Sequence, residues 1–219
     1  MIAKEIISYE LAPLHTTDTG EAALTMMNIY HVKHLPIVDE DQFLGLMSEE
    51  IILNNDLDKP IGSYSLGIAR PFVNETEHIF EVMSKMAESN LTVVPVVDHN
   101  DDYLGLITQD DLIQYYAQSF SFSEPGSILV ISTSKPNYSL AEISRIIESE
   151  NAAILSTFLT TSNDTSEVQV TLKINRQDIN DIIAAFQRFD YQITASFSEF
   201  AYIDDLKERY DSLMSYLNV

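Results

Sequence analysis

His34-Leu35-Pro36-Ile37-Val38-Asp39 and Val93-Val94-Pro95-Val96-Val97-Asp98 are one motif written twice, 59 residues apart. The agreement continues downstream, where Leu44-Gly45-Leu46-Met47-Ser48 answers to Leu104-Gly105-Leu106-Ile107-Thr108. Upstream, Met27 and Met86 each stand nine residues before their proline. Two copies of one unit imply two similar supersecondary pieces packed about a pseudo-twofold axis, with clefts between them.

Each copy begins with apolar residues at helical spacing, Ala22, Ala23, Met26, Met27 and Ile29 in the first and Ile79, Val82, Met83 and Met86 in the second. Cap-forming residue types precede both, Thr17-Asp18-Thr19-Gly20-Glu21 and Asn74-Glu75-Thr76-Glu77. A short apolar strand holding the proline follows and ends in aspartate. The turns differ by one residue, Glu40-Asp41-Gln42 against His99-Asn100-Asp101-Asp102. A second strand, 43–47 or 103–107, closes a hairpin, and Ser48 or Thr108 stands where another helix begins. Extended segments near Leu14 and Phe72 lead into the two units.

The pattern changes after Gln118. Ser119-Phe120-Ser121-Phe122-Ser123-Glu124-Pro125-Gly126 reads as a linker ending in a turn. Strands over 127–134, 153–161, 166–173 and 191–197, with helices over 139–150 and 176–188, give the order β-α-β-β-α-β of a ferredoxin-like domain. A last helix over 203–217 carries Leu206, Tyr210, Leu213 and Leu217 on one face. The expected organisation is a first repeat over 1–58, a second over 59–119, a linker over 120–126, a ferredoxin-like domain over 127–200 and the closing helix over 201–219. The fold class is α+β.

Composition narrows the function. A hydrophobic fraction of 45% in 219 residues supports genuine cores. With no cysteine, disulfides and thiolate metal sites are ruled out, which fits a reducing, cytoplasmic setting. No apolar run is long enough to span a bilayer, so membrane insertion is not expected. Thirty-four acids against 12 bases give a net charge of −22, a field that repels nucleic acid and anionic lipid. A small phosphorylated ligand is still admissible, because surface charge is screened beyond roughly 8 Å at physiological salt.

Catalytic signatures are missing from the sequence. Six glycines form no phosphate-cradling loop, and there is no nucleophile elbow or His-Glu-x-x-His segment. Among five histidines only His31 and His34 lie close, three apart, without metal-ligand spacing. The expected protein is not an enzyme and needs no metal of its own.

The doubled motif resembles a tandem cystathionine-β-synthase (CBS) domain pair, or Bateman module. The remainder is similar to an ACT-like domain. The module order, with Glu124-Pro125-Gly126-Ser127 and Ser139-Leu140-Ala141-Glu142-Ile143-Ser144, resembles the acetoin-utilisation accessory proteins of the AcuB type. The resemblance implies an adenosine-type ligand, AMP, ADP, ATP or S-adenosylmethionine, held through Gly-x-x-Thr/Ser-x-x-Asp. Gly105, Thr108 and Asp111 satisfy that pattern; in the first repeat Gly45 and Ser48 are present but Ile51 replaces the aspartate. The residues themselves also read as a helix cap, Thr108 at the N-cap and Asp111 three positions on. Backbone groups of Val93 and Val94 are implied for the adenine. Lys33, His34 and Arg70, with Ser48, are the weaker candidates for phosphate and the first-repeat site. Magnesium accompanying a nucleotide would fall to Asp101, Asp102 or Asp110.

The ACT-like turn Lys135-Pro136-Asn137-Tyr138-Ser139 has no glycine where an amino-acid ligand needs close approach, which favours a pairing role in a homodimer. Three functions are therefore expected in competition. One is a nucleotide-sensing regulatory subunit acting on a partner, which would be a regulated enzyme. The second is a ligand-free interaction scaffold. The third, implied by the resemblance alone, is an accessory factor that controls a deacetylase or acetoin pathway.

Overall fold

Local capping sets the start of most helices, as seen in a computed structural model that describes residues 1–64, 69–161 and 166–198 together with Met214 and Tyr216. The helix expected over 203–217 lies outside the described residues apart from those last two positions. Thr19 accepts the Ala22 N–H at 3.2 Å and opens α1 (Gly20–Ile29). Strands β1 (His34–Asp39) and β2 (Gln42–Ser48) form the expected antiparallel hairpin, with Pro36 opposite Leu46. Ser48 then caps the short α2 (Glu49–Leu53).

The second repeat retraces this path through β3 (Val73–Asn74), α3 (Ile79–Ser89), β4 (Val93–Val97), β5 (Tyr103–Thr108) and α4 (Gln109–Ser119). Here the helix entry differs from expectation. The cap of α3 is the His78 ring, whose Nδ1 accepts the Phe80 N–H at 3.3 Å, in place of the polar residues before it. Both hairpins carry a register irregularity at the matching step, Ile37/Val38 and Val96/Val97. Proline is tolerated in β4 although that strand has neighbours on both sides. Pro95 pairs with Leu106 of β5, while β3 reaches only Val96 and Val97, so no ladder donor is missed.

The repeats exchange their leaders. Before joining its own hairpin at the Leu14–Ile37 bridge, the first leader runs along the second repeat. Ala3 N–H bonds the Glu77 carbonyl at 2.8 Å, Lys4 N–H that of Glu75 at 3.0 Å, and Ser8 N–H that of Leu106 at 2.8 Å. The second leader does the converse, the Leu46 N–H bonding the Ala69 carbonyl at 3.0 Å before Val73 pairs with Val96. Gly105 makes room for the crossing. Its φ is +150°, and a Cβ there would stand 2.4 Å from Ile7 Cγ2. At the hairpin tips the Tyr103 N–H bonds the Asp41 carbonyl at 2.7 Å, and Gln42 is hydrogen-bonded to Asp102. One hydrophobic core, running from Ala3 through Leu35, Val93 and Val94 to Leu112, serves both repeats.

The described residues fall into two compact units, Met1–Tyr116 and Ala117–Val219. In the second, β6 (Ser127–Ser134), α5 (Leu140–Ser149), β7 (Ile154–Thr161), β8 (Glu167–Ile174), α6 (Asn180–Arg188) and β9 (Gln192–Phe197) follow in chain order. The sheet order β7-β8-β6-β9, antiparallel throughout, is that of the ferredoxin-like fold. Alternation along β8 buries Val168, Val170, Leu172 and Ile174, the last three in one core with Ile143, Ile147, Ile182 and Phe186 of the two helices. Helix α6 starts four residues later than the 176–188 expected. Arg176 is used elsewhere, its Nη1 bonding the Glu150 carbonyl at 2.8 Å, and the Asp178 carboxylate accepts the Asn180 N–H at 3.1 Å. The turn after β6 is a 3-10 turn, Lys135–Asn137, holding Pro136.

Candidate functional site

The start of α4 is the place where a helix cap opens onto a cavity. Asp111 N–H bonds Thr108 Oγ1 at 3.0 Å, and in return the Asp111 Oδ2 accepts the Thr108 N–H at 2.8 Å and the Thr108 hydroxyl at 2.6 Å. This is a reciprocal capping box of the kind read from the sequence. Both bonds to the carboxylate end on Oδ2; among the described residues none reaches Oδ1. In the first repeat only half of the box exists, the Ile51 N–H bonding Ser48 Oγ at 3.2 Å.

Thr108 and Asp111 open onto a cavity of about 210 Å³ together with Gln109, Asp110 and Gln114 from the same helix start. Its other walls come from elsewhere in the first unit. The exchanged leader supplies Ser8, Glu10 and Leu11, and the α1–β1 turn supplies Tyr30, His31 and Val32. Thr92, just before β4, completes it. This volume is below the roughly 300–1,000 Å³ of sites that enclose a drug-sized ligand, so it has room for a group of about one ring and not for a whole drug-sized molecule. No lysine or arginine lines it among the described residues; Glu10, Asp110 and Asp111 make the wall acidic. A second hollow of about 440 Å³ lies between α3 and α4, lined largely by Met83, Met86, Leu112, Ile113 and Tyr116, and carries no carboxylate.

The other expected site residues are placed differently. Val93 and Val94 are fully buried in the shared core and do not line the cavity; the lining position is their neighbour Thr92. Apolar β-branched side chains between two packed layers go inward, and it is the polar residue at the strand entrance that faces the opening. Gly105 is likewise a packing residue, its missing side chain accommodating Ile7. Arg70 does not reach the cavity. Its Nη2 donates to the Phe43 carbonyl at 2.6 Å, and the guanidinium sits 5.8 Å from the Phe43 ring centre. Lys33 is exposed, and its backbone N–H bonds Thr92 Oγ1 at 2.8 Å.

His34 lies at the seam between repeats, away from the cavity lining. Its Nδ1 is 3.1 Å from Thr92 Oγ1 and accepts the Thr92 N–H at 3.3 Å. Burial, and then the neighbouring Lys33 charge, hold the imidazole below its ordinary pKa, against a smaller opposing effect of Glu49. No group of three or more His, Asp or Glu side chains suited to a metal ion occurs among the described residues. Among them too, no helix is long and apolar enough to cross a membrane.

Residues 3–58 and 68–118 match the CBS domain family, and the first unit is thus a CBS domain pair. A homoserine O-acetyltransferase of Methanosphaera stadtmanae is 32% identical over 120 residues, covering 52% of this chain and 24% of that protein. The chain therefore spans about a quarter of this curated relative. A CBS domain pair/ACT domain protein from Thermotoga maritima is 21% identical with a TM-score of 0.48, covering 54% of this chain and 98% of that one. CBSX2 in complex with AMP is 17% identical with a TM-score of 0.47, over 53% and 96% of the respective chains.

Proposed function

We propose that this protein is a non-catalytic, cytoplasmic regulatory subunit whose CBS pair binds an adenosine-type ligand at Asp111 and Thr108. The observation that carries the reading is the Asp111 carboxylate on the cavity wall at a helix start. One oxygen is engaged by the cap, and no bond to the other is made among the described residues, which supports a role as acceptor for ribose hydroxyls. The half-box at Ser48 and the apolar Ile51 give the first repeat no such acceptor, so one site per chain is expected. The acidic, lysine-free and arginine-free wall favours a nucleoside, a monophosphate or S-adenosylmethionine over ADP or ATP, unless magnesium travels with the polyphosphate. Occupancy acts by favouring one arrangement of the repeats over another, and the ferredoxin-like domain, read as ACT-like, passes that bias across a homodimer or to a partner enzyme.

Calorimetry with adenosine, AMP, ATP and S-adenosylmethionine tests the reading. Asp111→Ala is expected to weaken binding at least tenfold, and Ile51→Ala to leave it within about twofold; equal affinities for both variants and wild type defeat it. The scaffold alternative is favoured by one observation, that Asp111 already has a structural task in the cap. It predicts no thermal shift with any of these compounds. Membership of the AcuB-type accessory proteins rests on module order, and co-purification with a deacetylase or an acetoin-pathway enzyme tests it.

A further inference from the structure

The first repeat has a histidine where the second has a valine, and the difference falls on the seam between them. His34 and Val93 occupy equivalent places, and so do Lys33 and Thr92. Across the pseudo-twofold axis this asymmetry produces a hydrogen-bonded knot. Thr92 Oγ1 accepts the Lys33 N–H at 2.8 Å, and its backbone N–H points at His34 Nδ1 from 3.3 Å. The Thr92 carbonyl accepts the Gln109 N–H at 3.1 Å, which ties the same residue to the start of α4. Thr92 is therefore held on one side by the first repeat and on the other by the helix that carries Asp111, while it also lines the cavity.

An N–H can only donate, so the nitrogen facing it must offer a lone pair. We infer that His34 is a positioning residue for the cavity, its unprotonated Nδ1 holding Thr92 in place, so that acidification loosens the seam and the ligand seat together. A proton on Nδ1 would set two donors against each other and leave the Thr92 N–H without its acceptor, the ring then turning its proton to Thr92 Oγ1, 3.1 Å away. The charged groups facing His34 are Lys33 beside it, which opposes protonation, and Glu49 at the start of α2, which favours it. Ser48, opposite on β2, and Val93 on β4 add no charge. The lowered pKa of His34 agrees with a ring kept neutral in this place. Linkage fixes the sign. The knot is intact above the unfolded value of about 6.5 and is lost as pH falls through the lower folded value.

The ligand half of this inference rests on the nucleotide reading, so the experiment on the full chain has two arms. Adenosine is the probe, because a phosphate with a second pKa of about 6 would titrate in the same range. Wild-type affinity for adenosine is expected to be level above the ordinary histidine range and to fall as pH is taken below it, no more steeply than about tenfold per pH unit. His34→Val, which copies the second repeat, should bind more weakly at the higher pH and show a flat profile. An unchanged slope in that variant overturns the inference. The second arm needs no ligand. Imidazole nitrogen NMR of the wild-type protein should show the Nε2–H form at neutral pH, with the Thr92 amide moving as His34 titrates. A proton on Nδ1 at neutral pH, or a Thr92 amide indifferent to that titration, overturns it as well. If adenosine fails to bind at any pH, the nucleotide reading falls and takes the ligand half with it, and the Thr92 amide then decides the seam.

Discussion

Gly105→Ala is the substitution in which backbone, packing and site meet. At φ +150° an alanine is strained whatever the space around it, and conformations of that kind cost roughly 1–3 kcal/mol. The new Cβ would also lie 2.4 Å from Ile7 Cγ2 and 3.4 Å from the Ser8 carbonyl oxygen. Ile7 can swing away, but Ser8 is tied by its N–H to Leu106, so relief moves the leader and with it Ser8, Glu10 and Leu11 on the cavity wall. A loss of about 1–3 kcal/mol corresponds to a fall in Tm of roughly 4–12 °C for a unit of this size. Urea denaturation followed by circular dichroism reads the free energy, and calorimetry reads the accompanying loss of adenosine affinity. The double variant Gly105→Ala, Ile7→Ala separates the causes, since it removes the clash and leaves the backbone strain. A Gly105→Ala protein within about 0.5 kcal/mol of wild type, with unaltered affinity, refutes the argument.

Other outcomes follow from single contacts. Arg70→Ala should leave adenosine affinity unchanged and lower stability by about 1 kcal/mol, because an exposed guanidinium serves the Phe43 carbonyl and ring, not the cavity; weakened binding in calorimetry would place it in the site after all. The Tyr191 phenol, pushed up to about 12 by burial and by its 2.9 Å bond to Glu142, should still be protonated at pH 11 in a site-resolved tyrosine NMR titration. Its contribution is complete below the ordinary value of about 10 and disappears as pH rises through about 12. Tyr191→Phe should remove about 1 kcal/mol of stability at neutral pH by denaturant titration. Leu129→Ala, at a fully buried position of β6, should cost about 2–5 kcal/mol in the same assay, whereas Thr160→Ala on the exposed end of β7 should cost under about 0.5.

What the sequence disclosed followed from local periodicity and repetition. The two hairpins and the Thr108–Asp111 pair were visible because each is specified by residues a few positions apart, and the four-stranded sheet, whose pairings join residues tens of positions apart, was visible through the β-α-β-β-α-β order of its elements. The remainder of the cavity was not. Ser8, Glu10, Tyr30, His31 and Thr92 belong to a leader and two turns without a motif; the exchange of leaders brings Ser8 and Glu10 beside α4, and the packing of one repeat on the other brings Tyr30 and His31 to Thr92. A polar residue just before the buried Val93-Val94 run was the available signal for Thr92. Arg70 and His34 stand apart from the cavity lining for a similar reason. Position along the chain suggested proximity, while the side chains are committed to Phe43 and Thr92. The late start of α6 belongs here too, because helical spacing from Arg176 onward says nothing of that side chain's bond to Glu150.

The crossing of the leaders also bears on how the chain is made. Ser8 emerges from the ribosome nearly a hundred residues before Leu106, its partner. At about 5–20 residues per second that interval is roughly 5–20 s, during which the nascent segment has no edge to complete. Neither repeat is a finished object when synthesised alone. Closure waits for the second hairpin, and the cavity beside α4 comes into being in that same late step.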